Sequence, residues 1–144
     1  MKTNEDVNAN AMLSHAIDLH QKGRLDEAKA CYENILLIQP LNSDALHLLG
    51  VIATQGRDYQ FATQLISKAI SITPNNARAH YNLGVAFHGL KQLNEAVLSY
   101  NQALNLQPDY PAAHDNRNKA LEELGSFISP LEKLDSNIEF KFDV

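Results

Sequence analysis

The fold is decided by residues 77–110, which read ARAHYNLGVAFHGLKQLNEAVLSYNQALNLQPDY. Apolar and small residues recur at helical spacing on both sides of a central interruption, and Pro108 follows the second run. This pattern predicts two amphipathic helices that pack as a hairpin. The second helix should stop before the proline, because proline has no N–H to donate and disfavours helical geometry at the residue before it.

The same pattern recurs upstream at a fixed interval. Two sets of residues are each spaced by 34: Pro40, Pro74 and Pro108, and Ala28, Ala62 and Ala96. A sequence period of 34 residues is typical of stacked helical hairpins. We predict hairpins over residues 9–42, 43–76 and 77–110. Gly50 against Ala62, and Gly84 against Ala96, should let the two helices of a hairpin approach closely.

The two ends of the chain lack this pattern. Residues 1–8 are polar and predict a flexible N-terminus. After the third hairpin, residues 111–125 predict a capping helix that begins at Pro111 and ends at Gly125. The tail, residues 126–144, contains a capping box at Ser129 that favours a short eighth helix, followed by strand-like alternation. It is a loosely docked end, a segment that fills a groove or adds a strand, or the start of a further domain.

The repeated unit resembles the tetratricopeptide repeat family over residues 9–125. The resemblance implies an all-α fold, an α-solenoid of three helical hairpins plus a C-terminal capping helix, wound as a right-handed superhelix. Most members of the family are interaction scaffolds. In the family, the first helix of each hairpin lines the concave face, where a partner binds.

Composition excludes several other classes of protein. The chain has 144 residues, a formal charge of −5 and a pI near 5.6, which argues against nucleic acid as a ligand. No apolar run is long enough for a signal peptide core or a membrane span, so we predict a cytoplasmic protein with no membrane contact. Cys31 is the only cysteine, and we interpret it as a small apolar packing residue.

The histidines and the glycines do not indicate a metal site or a catalytic site. There is no His-Glu-x-x-His motif, and His20 and His88 are separated by two repeats. Asp44 could polarise His47 three residues later, but the spacing places no nucleophile near them. The glycines are isolated, which excludes a phosphate-binding loop. We therefore expect no metal, no cofactor and no enzymatic activity from this chain.

The family resemblance assigns a set of side chains to the concave face. They come from the first helix of each hairpin and from the capping helix. The candidate peptide-binding residues are Leu13, Ile17, His20, Asp44, His47, Leu48, Val51, Arg78, Tyr81, Asn82, Val85, His88, Asp115, Asn116 and Lys119. This set is more apolar in its first half and more polar in its second, so we expect a ligand with the same division.

Two asparagines in this set occupy equivalent places on successive helices. Asn82 and Asn116 are 34 residues apart, and an amide can both donate to and accept from the backbone of an extended peptide. This is similar to the asparagine ladder of O-linked N-acetylglucosamine transferases. The same column contains Ser14 and Leu48, so the ladder would have two members. Ordinary helix-surface amides remain the alternative interpretation.

The residues that hold a ligand in chaperone-binding tetratricopeptide domains are mostly absent from this chain. Chaperone-binding tetratricopeptide domains hold a C-terminal carboxylate with Lys, Asn and Arg in five columns of the groove. The residues in those columns here are Leu13, Ile17, Leu48, Arg78 and Asn82. Only Arg78 is chemically suited to a carboxylate, so we expect the chain not to be a clamp for chaperone tails.

The leading hypothesis is a non-catalytic scaffold that binds a protein or peptide partner in its concave groove. The alternative is a substrate-recruiting arm, or a stand-alone relative, of a glycosyltransferase-type enzyme, because the array resembles the repeats that precede such catalytic domains. Self-association through an exposed end of the array is a third hypothesis.

Overall fold

A computed structural model describes residues 1–136, and this part of the chain consists of seven α-helices and short connections without a strand. The helices are α1 (Asn4–Gln21), α2 (Leu25–Ile38), α3 (Ser43–Gln55), α4 (Tyr59–Ile72), α5 (Ala77–Gly89), α6 (Leu93–Leu106) and α7 (Pro111–Ser136). None of these helices is both long and apolar enough to cross a membrane.

Consecutive helices pack against one another from α1 to α7. The pairs α1/α2, α3/α4 and α5/α6 form the three predicted hairpins, and α7 packs on α6. The first helices also touch across hairpins, α3 against α5 and α5 against α7. This confirms the predicted α-solenoid of three hairpins followed by a C-terminal helix.

The first helix starts earlier than the sequence indicated. Residues 1–8 were expected to be a flexible end, whereas α1 begins at Asn4. Thr3 and Asp6 form a capping box, in which each side chain accepts a hydrogen bond from the backbone N–H of the other residue. Asp6 also accepts from the Gln39 side chain at 2.8 Å, which ties this helix start to the end of α2.

The last helix ends later than the sequence indicated. We expected a capping helix that stops at Gly125 and a separate short helix from Ser129, but α7 continues from Pro111 to Ser136. A glycine ends a helix when it adopts a positive φ, and among the described glycines only Gly23 does so. The predicted strand-like residues 138–144 lie outside the described part of the chain.

The small residues of the first helices face large buried side chains. A Cβ atom added to Gly50 would lie 2.5 Å from the Ile66 side chain, and one added to Gly84 would lie 2.5 Å from the Tyr100 ring. The glycines therefore leave room for these two side chains. The predicted neighbour of Gly50, Ala62, is farther away, because its nearest atom, the carbonyl oxygen, would lie 3.4 Å from the added Cβ. Ile66 and Tyr100 are fully buried at the centre of their hairpins.

The turns inside the hairpins share one backbone conformation. The residues at equivalent places are Gly23 with φ 75°, Arg57 with φ 64° and Lys91 with φ 60°. This left-handed conformation costs an L-residue roughly 1–2 kcal/mol relative to glycine. The second and third turns therefore accept strain that the first turn avoids.

Candidate functional site

Two adjoining clefts open on the side of the array where the first helices lie. One has a volume of about 280 Å³ and the other about 230 Å³, and both are lined by Ile17, Leu48 and Arg78. These three residues belong to α1, α3 and α5, so the clefts run across all three hairpins. We call the two clefts together the groove.

Much of the predicted site lines the groove. The predicted residues found there are Leu13, Ile17, His20, Asp44, His47, Leu48, Val51, Arg78 and Asn82. The aliphatic members come from α1 and α3, whereas Arg78 and Asn82 come from α5. Among the described residues, Gln21, Tyr32 and Asn76 also line it, and sequence reasoning did not include them. Tyr32 was missed because it belongs to a second helix, which was assigned to packing only.

Four hydrogen bonds beside and within the groove join α1 to α3, α3 to α5 and α5 to α7. Each bond links a side chain to the one 35 positions later in the chain. The pairs are His20 Nε2 with Gln55 Oε1 at 3.1 Å, Asn82 Nδ2 with His47 Nε2 at 2.8 Å, Asn116 Nδ2 with Tyr81 OH at 3.0 Å, and His88 Nε2 with Glu123 Oε1 at 2.7 Å. We call them the 35-residue bonds. They make the polar surface of one hairpin depend on the position of the next.

His47 is a buried polar residue of the groove, with 5% of its surface exposed. Burial, and then the positive charge of Arg78, lower the pKa of His47 to about 4. An amide nitrogen can only donate, so Asn82 Nδ2 donates to Nε2 of a neutral His47 ring. His47 is therefore a hydrogen-bond acceptor at neutral pH and not a cation.

The two asparagine amides are partly engaged by the array itself. Asn82 donates one hydrogen bond to His47 and Asn116 donates one to Tyr81. An amide has two N–H donors and a carbonyl oxygen, so each keeps one donor and its acceptor beyond this bond. The amides thus have a structural role, and Asn82, which lines the groove, has hydrogen-bonding capacity left.

The remaining predicted residues lie outside the two clefts. Tyr81 and Val85 are half-buried and pack against the core between α5, α6 and α7. His88 donates to Glu123 on α7, and this bond, followed by that of Lys91, holds the pKa of the Glu123 carboxyl below its usual value. Asp115, Asn116 and Lys119 are on α7, where Asp115 and Lys119 are exposed.

Two histidine–tyrosine pairs occupy equivalent places in the first and third hairpins. His20 meets Tyr32 edge-on with ring centroids 6.0 Å apart, and His88 meets Tyr100 at 6.5 Å. The Tyr32 hydroxyl lies 3.2 Å from His20 Nδ1, and burial raises the pKa of Tyr32 to about 12. Among the described residues, the buried Tyr100 hydroxyl makes no hydrogen bond of ordinary geometry, and burial raises its pKa, an effect that the nearby Asn116 amide partly offsets.

Three family models match the sequence. Two are described as "Tetratricopeptide repeat", at residues 10–40 and 77–110, and the third as "TPR repeat", at residues 62–91. Together they span more than half of the chain. The matches at 10–40 and 77–110 fall on the first and third hairpins, and the match at 62–91 covers most of α4 and all of α5. The chain belongs to the tetratricopeptide repeat family.

Individual tetratricopeptide proteins resemble this chain at moderate identity. A Hsp70-Hsp90 organising protein of Plasmodium falciparum is 30% identical over 72% of the chain and 41% of its own length. The Thermobaculum terrenum O-GlcNAc transferase structure (mutant K341M) superimposes with a TM-score of 0.80 at 35% identity, covering 84% of this chain and 23% of that one. The first TPR of Spaghetti (RPAP3) bound to an HSP90 peptide gives a TM-score of 0.78 at 21% identity, covering 81% of this chain and 93% of that one.

The tetratricopeptide array spans less than half the length of the curated relatives that it matches. Two further histidines lie against backbone carbonyl oxygens. Nε2 of His80 lies 2.8 Å from the Pro74 carbonyl oxygen, and Nε2 of His114 lies 2.8 Å from that of Pro108. Within the described residues, no group of three or more His, Cys, Asp or Glu side chains could hold a metal ion.

Proposed function

We propose that this array is a non-catalytic scaffold that binds an extended segment of a partner protein in the groove. The observation that carries the proposal is that three separate hairpins line two joined clefts, with aliphatic walls on α1 and α3 and polar groups on α5. An extended chain that crosses the hairpins would place alternate side chains in the clefts. Its backbone would meet the donor and the acceptor that Asn82 keeps.

The chemistry of the groove restricts the ligand. Leu13, Ile17 and Leu48 offer contact area for an aliphatic or aromatic side chain near the start of the array. Arg78, on α5, offers a cation, and the neutral His47, next to Leu48 on α3, offers hydrogen-bonding capacity. The positions that are cationic or amidic in chaperone-tail clamps are aliphatic here on α1 and α3. A partner segment with an apolar anchor followed by polar residues fits this arrangement.

Two comparisons support peptide binding by this kind of fold. The RPAP3 domain is described as bound to an HSP90 peptide, so a domain of the same fold holds a peptide. The Plasmodium relative is named for organising Hsp70 and Hsp90. The groove residues differ from those of a carboxylate clamp. We therefore propose that this chain also binds a peptide in its groove, but not an Hsp70 or Hsp90 tail.

Site-specific photocrosslinking tests the proposal. A benzoylphenylalanine at Leu48, in the groove, should crosslink to a defined segment of a partner in a cell extract of the source organism. The matched control is the same residue at Leu37, which is 82% exposed on α2. A synthetic peptide of the mapped segment should bind the full chain, and Leu48→Ala or Arg78→Ala should weaken it at least fivefold.

The amides require a separate variant because they also hold the array together. Asn82→Ala with Asn116→Ala should weaken the mapped peptide while the helical content measured by circular dichroism is kept. Asn34→Ala, on the exposed face of α2, is the matched control. Two results would contradict binding in the groove. One is equal crosslinking from Leu48 and Leu37, and the other is a peptide affinity that neither Leu48→Ala nor Arg78→Ala changes.

The similarity to an O-GlcNAc transferase favours a second candidate, a repeat arm that presents a protein substrate to a glycosyltransferase-type catalytic domain. The peptide would occupy the same groove, but its crosslinked segment should then carry acceptor serines or threonines. Incubation of the chain with UDP-N-acetylglucosamine and that peptide decides whether the chain itself transfers sugar. Transfer by the purified chain would contradict the non-catalytic proposal.

A further inference from the structure

A third cleft lies outside the groove, between the first and second hairpins on the side of the interhelical turns. Its volume is about 310 Å³, within the range of roughly 300–1,000 Å³ that is usual for small-molecule sites. Leu25 of α2 forms one side, Leu49 and Ile52 of α3 form the base, and Phe61 of α4 forms the other side. We call this space the turn-side cleft.

A comparison of equivalent residues in successive hairpins explains why the turn-side cleft is open. Two of the residues that line it, Leu25 and Ala53, are smaller than their equivalents one hairpin later, Tyr59 and Phe87. At that second interface the Tyr59 ring occupies the space beside Gly89, where an added Cβ would lie 2.5 Å from it. The first interface thus has less side-chain volume to fill the equivalent space.

Phe61 adds an apolar surface that the other hairpins lack. It is 42% exposed, whereas the equivalent positions in the first and third hairpins are Glu27 and Glu95. An exposed aromatic ring beside an open apolar cleft is a feature of binding surfaces, because exposure of apolar area to water is unfavourable. Helix α4 could form equally well with glutamate here.

The polar rim favours a positively charged ligand. Asp26 and Asp58 are both on the rim, and within the described part of the chain neither pairs with a basic side chain. The basic rim residue, Lys29, lies 3.9 Å from the Glu33 carboxylate on the same helix. The C-terminal end of α3 at Gly56 adds negative partial charge, whereas the N-terminal ends of α2 and α4 at the same rim add positive partial charge. The negative character of the rim therefore comes from the two carboxylates.

We propose that the turn-side cleft is a second binding site, separate from the groove, for an amphipathic cation: an apolar body that enters the cleft and an ammonium or guanidinium group that stays at the rim. In a protein partner, this chemistry is an aromatic or long aliphatic side chain next to Lys or Arg. The apolar body contacts Leu25, Ile52 and Phe61, and the cation faces Asp26 and Asp58.

Phenethylammonium is a suitable probe, with 2-phenylethanol and 3-phenylpropionate as its neutral and anionic counterparts. Each is titrated into the ¹⁵N-labelled full chain, and amide shifts are followed by NMR. Saturable shifts should cluster around Leu25, Gly56 and Phe61, and affinity should fall from cation to neutral alcohol to anion. Asp26→Asn should weaken the cation about twofold to fivefold, the usual size of an exposed charge interaction, and leave the alcohol unchanged.

Filling the cleft gives the decisive variants. Ala53→Phe copies Phe87 from the next hairpin and should abolish saturable binding while thermal unfolding shows a folded chain. Leu25→Tyr with Gln55→Gly copies the Tyr59–Gly89 contact and should have the same effect if the first variant does not fold. Asn82→Ala, in the groove, should leave probe binding intact. Shifts that do not saturate, that persist in the filled variants, or that are as strong with the anion would overturn the proposal.

Discussion

The groove histidine predicts a pH-dependent loss of stability that can be assigned to one residue. His47 titrates near 6.5 when exposed to water and near 4 in the folded chain. Between these values the unfolded chain binds more protons than the folded chain, so the free energy of unfolding falls as the pH is lowered from about 6.5 to about 4. Since one pKa unit corresponds to about 1.4 kcal/mol, His47 should account for a loss of roughly 2–3 kcal/mol by pH 4.5.

Urea unfolding followed by circular dichroism at pH 7.5 and pH 4.5 measures this loss. The carboxyl groups with lowered pKa values, Asp6, Glu27 and Glu123, ordinarily titrate at 3.8–4.5, so most of their contribution is lost below pH 4.5. His47→Gln should lose less stability between the two pH values than the natural chain, by roughly 2–3 kcal/mol. His15→Gln, at an exposed position on α1, is the matched control and should behave like the natural chain. An unaltered pH dependence in His47→Gln would refute the argument from burial.

Three further predictions concern stability. Arg57→Gly should stabilise the chain by about 0.5–1 kcal/mol in urea unfolding, because glycine relieves the positive φ, whereas Arg57→Ala keeps the strain and should change little. Gly84→Ala should lower the unfolding free energy by about 1–3 kcal/mol through contact with the Tyr100 ring, while Gly125→Ala, with open space around its Cβ, should raise the melting temperature. Tyr100→Phe should be neutral or stabilising in thermal unfolding, whereas Tyr32→Phe should cost about 1 kcal/mol by removing the bond to His20. The opposite order of the two tyrosine variants would contradict the assigned hydrogen bonds.

The hairpins could be predicted because helix packing imposes a period on the sequence. Pro40, Pro74 and Pro108 follow the three second helices, as their spacing predicted. The ends of the helices were harder to predict from the sequence. Thr3 and Asp6 form a capping box with aspartate in place of the usual glutamate, and Gly125 does not have the positive φ that its position after an apolar run suggested.

The groove was predictable in composition but not in its contacts. The period of 34 identifies equivalent residues, such as Asn82 and Asn116, but it does not say which side chains touch. The actual partners are offset by 35, so Asn82 meets His47 and Asn116 meets Tyr81. The difference between an offset of 35 and the period of 34 depends on how adjacent helices are inclined. That inclination is a property of the packed array. The volume of the turn-side cleft depends on packing in the same way.

The 35-residue bonds also have a mechanical consequence. They join first helices to first helices, so they lie on the groove side of the array. A force that pulls the two ends of the array apart would lengthen these short polar contacts, because two of them link different hairpins and two link the third hairpin to α7. Each hairpin would meanwhile keep its own buried core. We expect tension to change the shape of the groove before any hairpin unfolds, so that a partner bound there would respond to stretching of the chain.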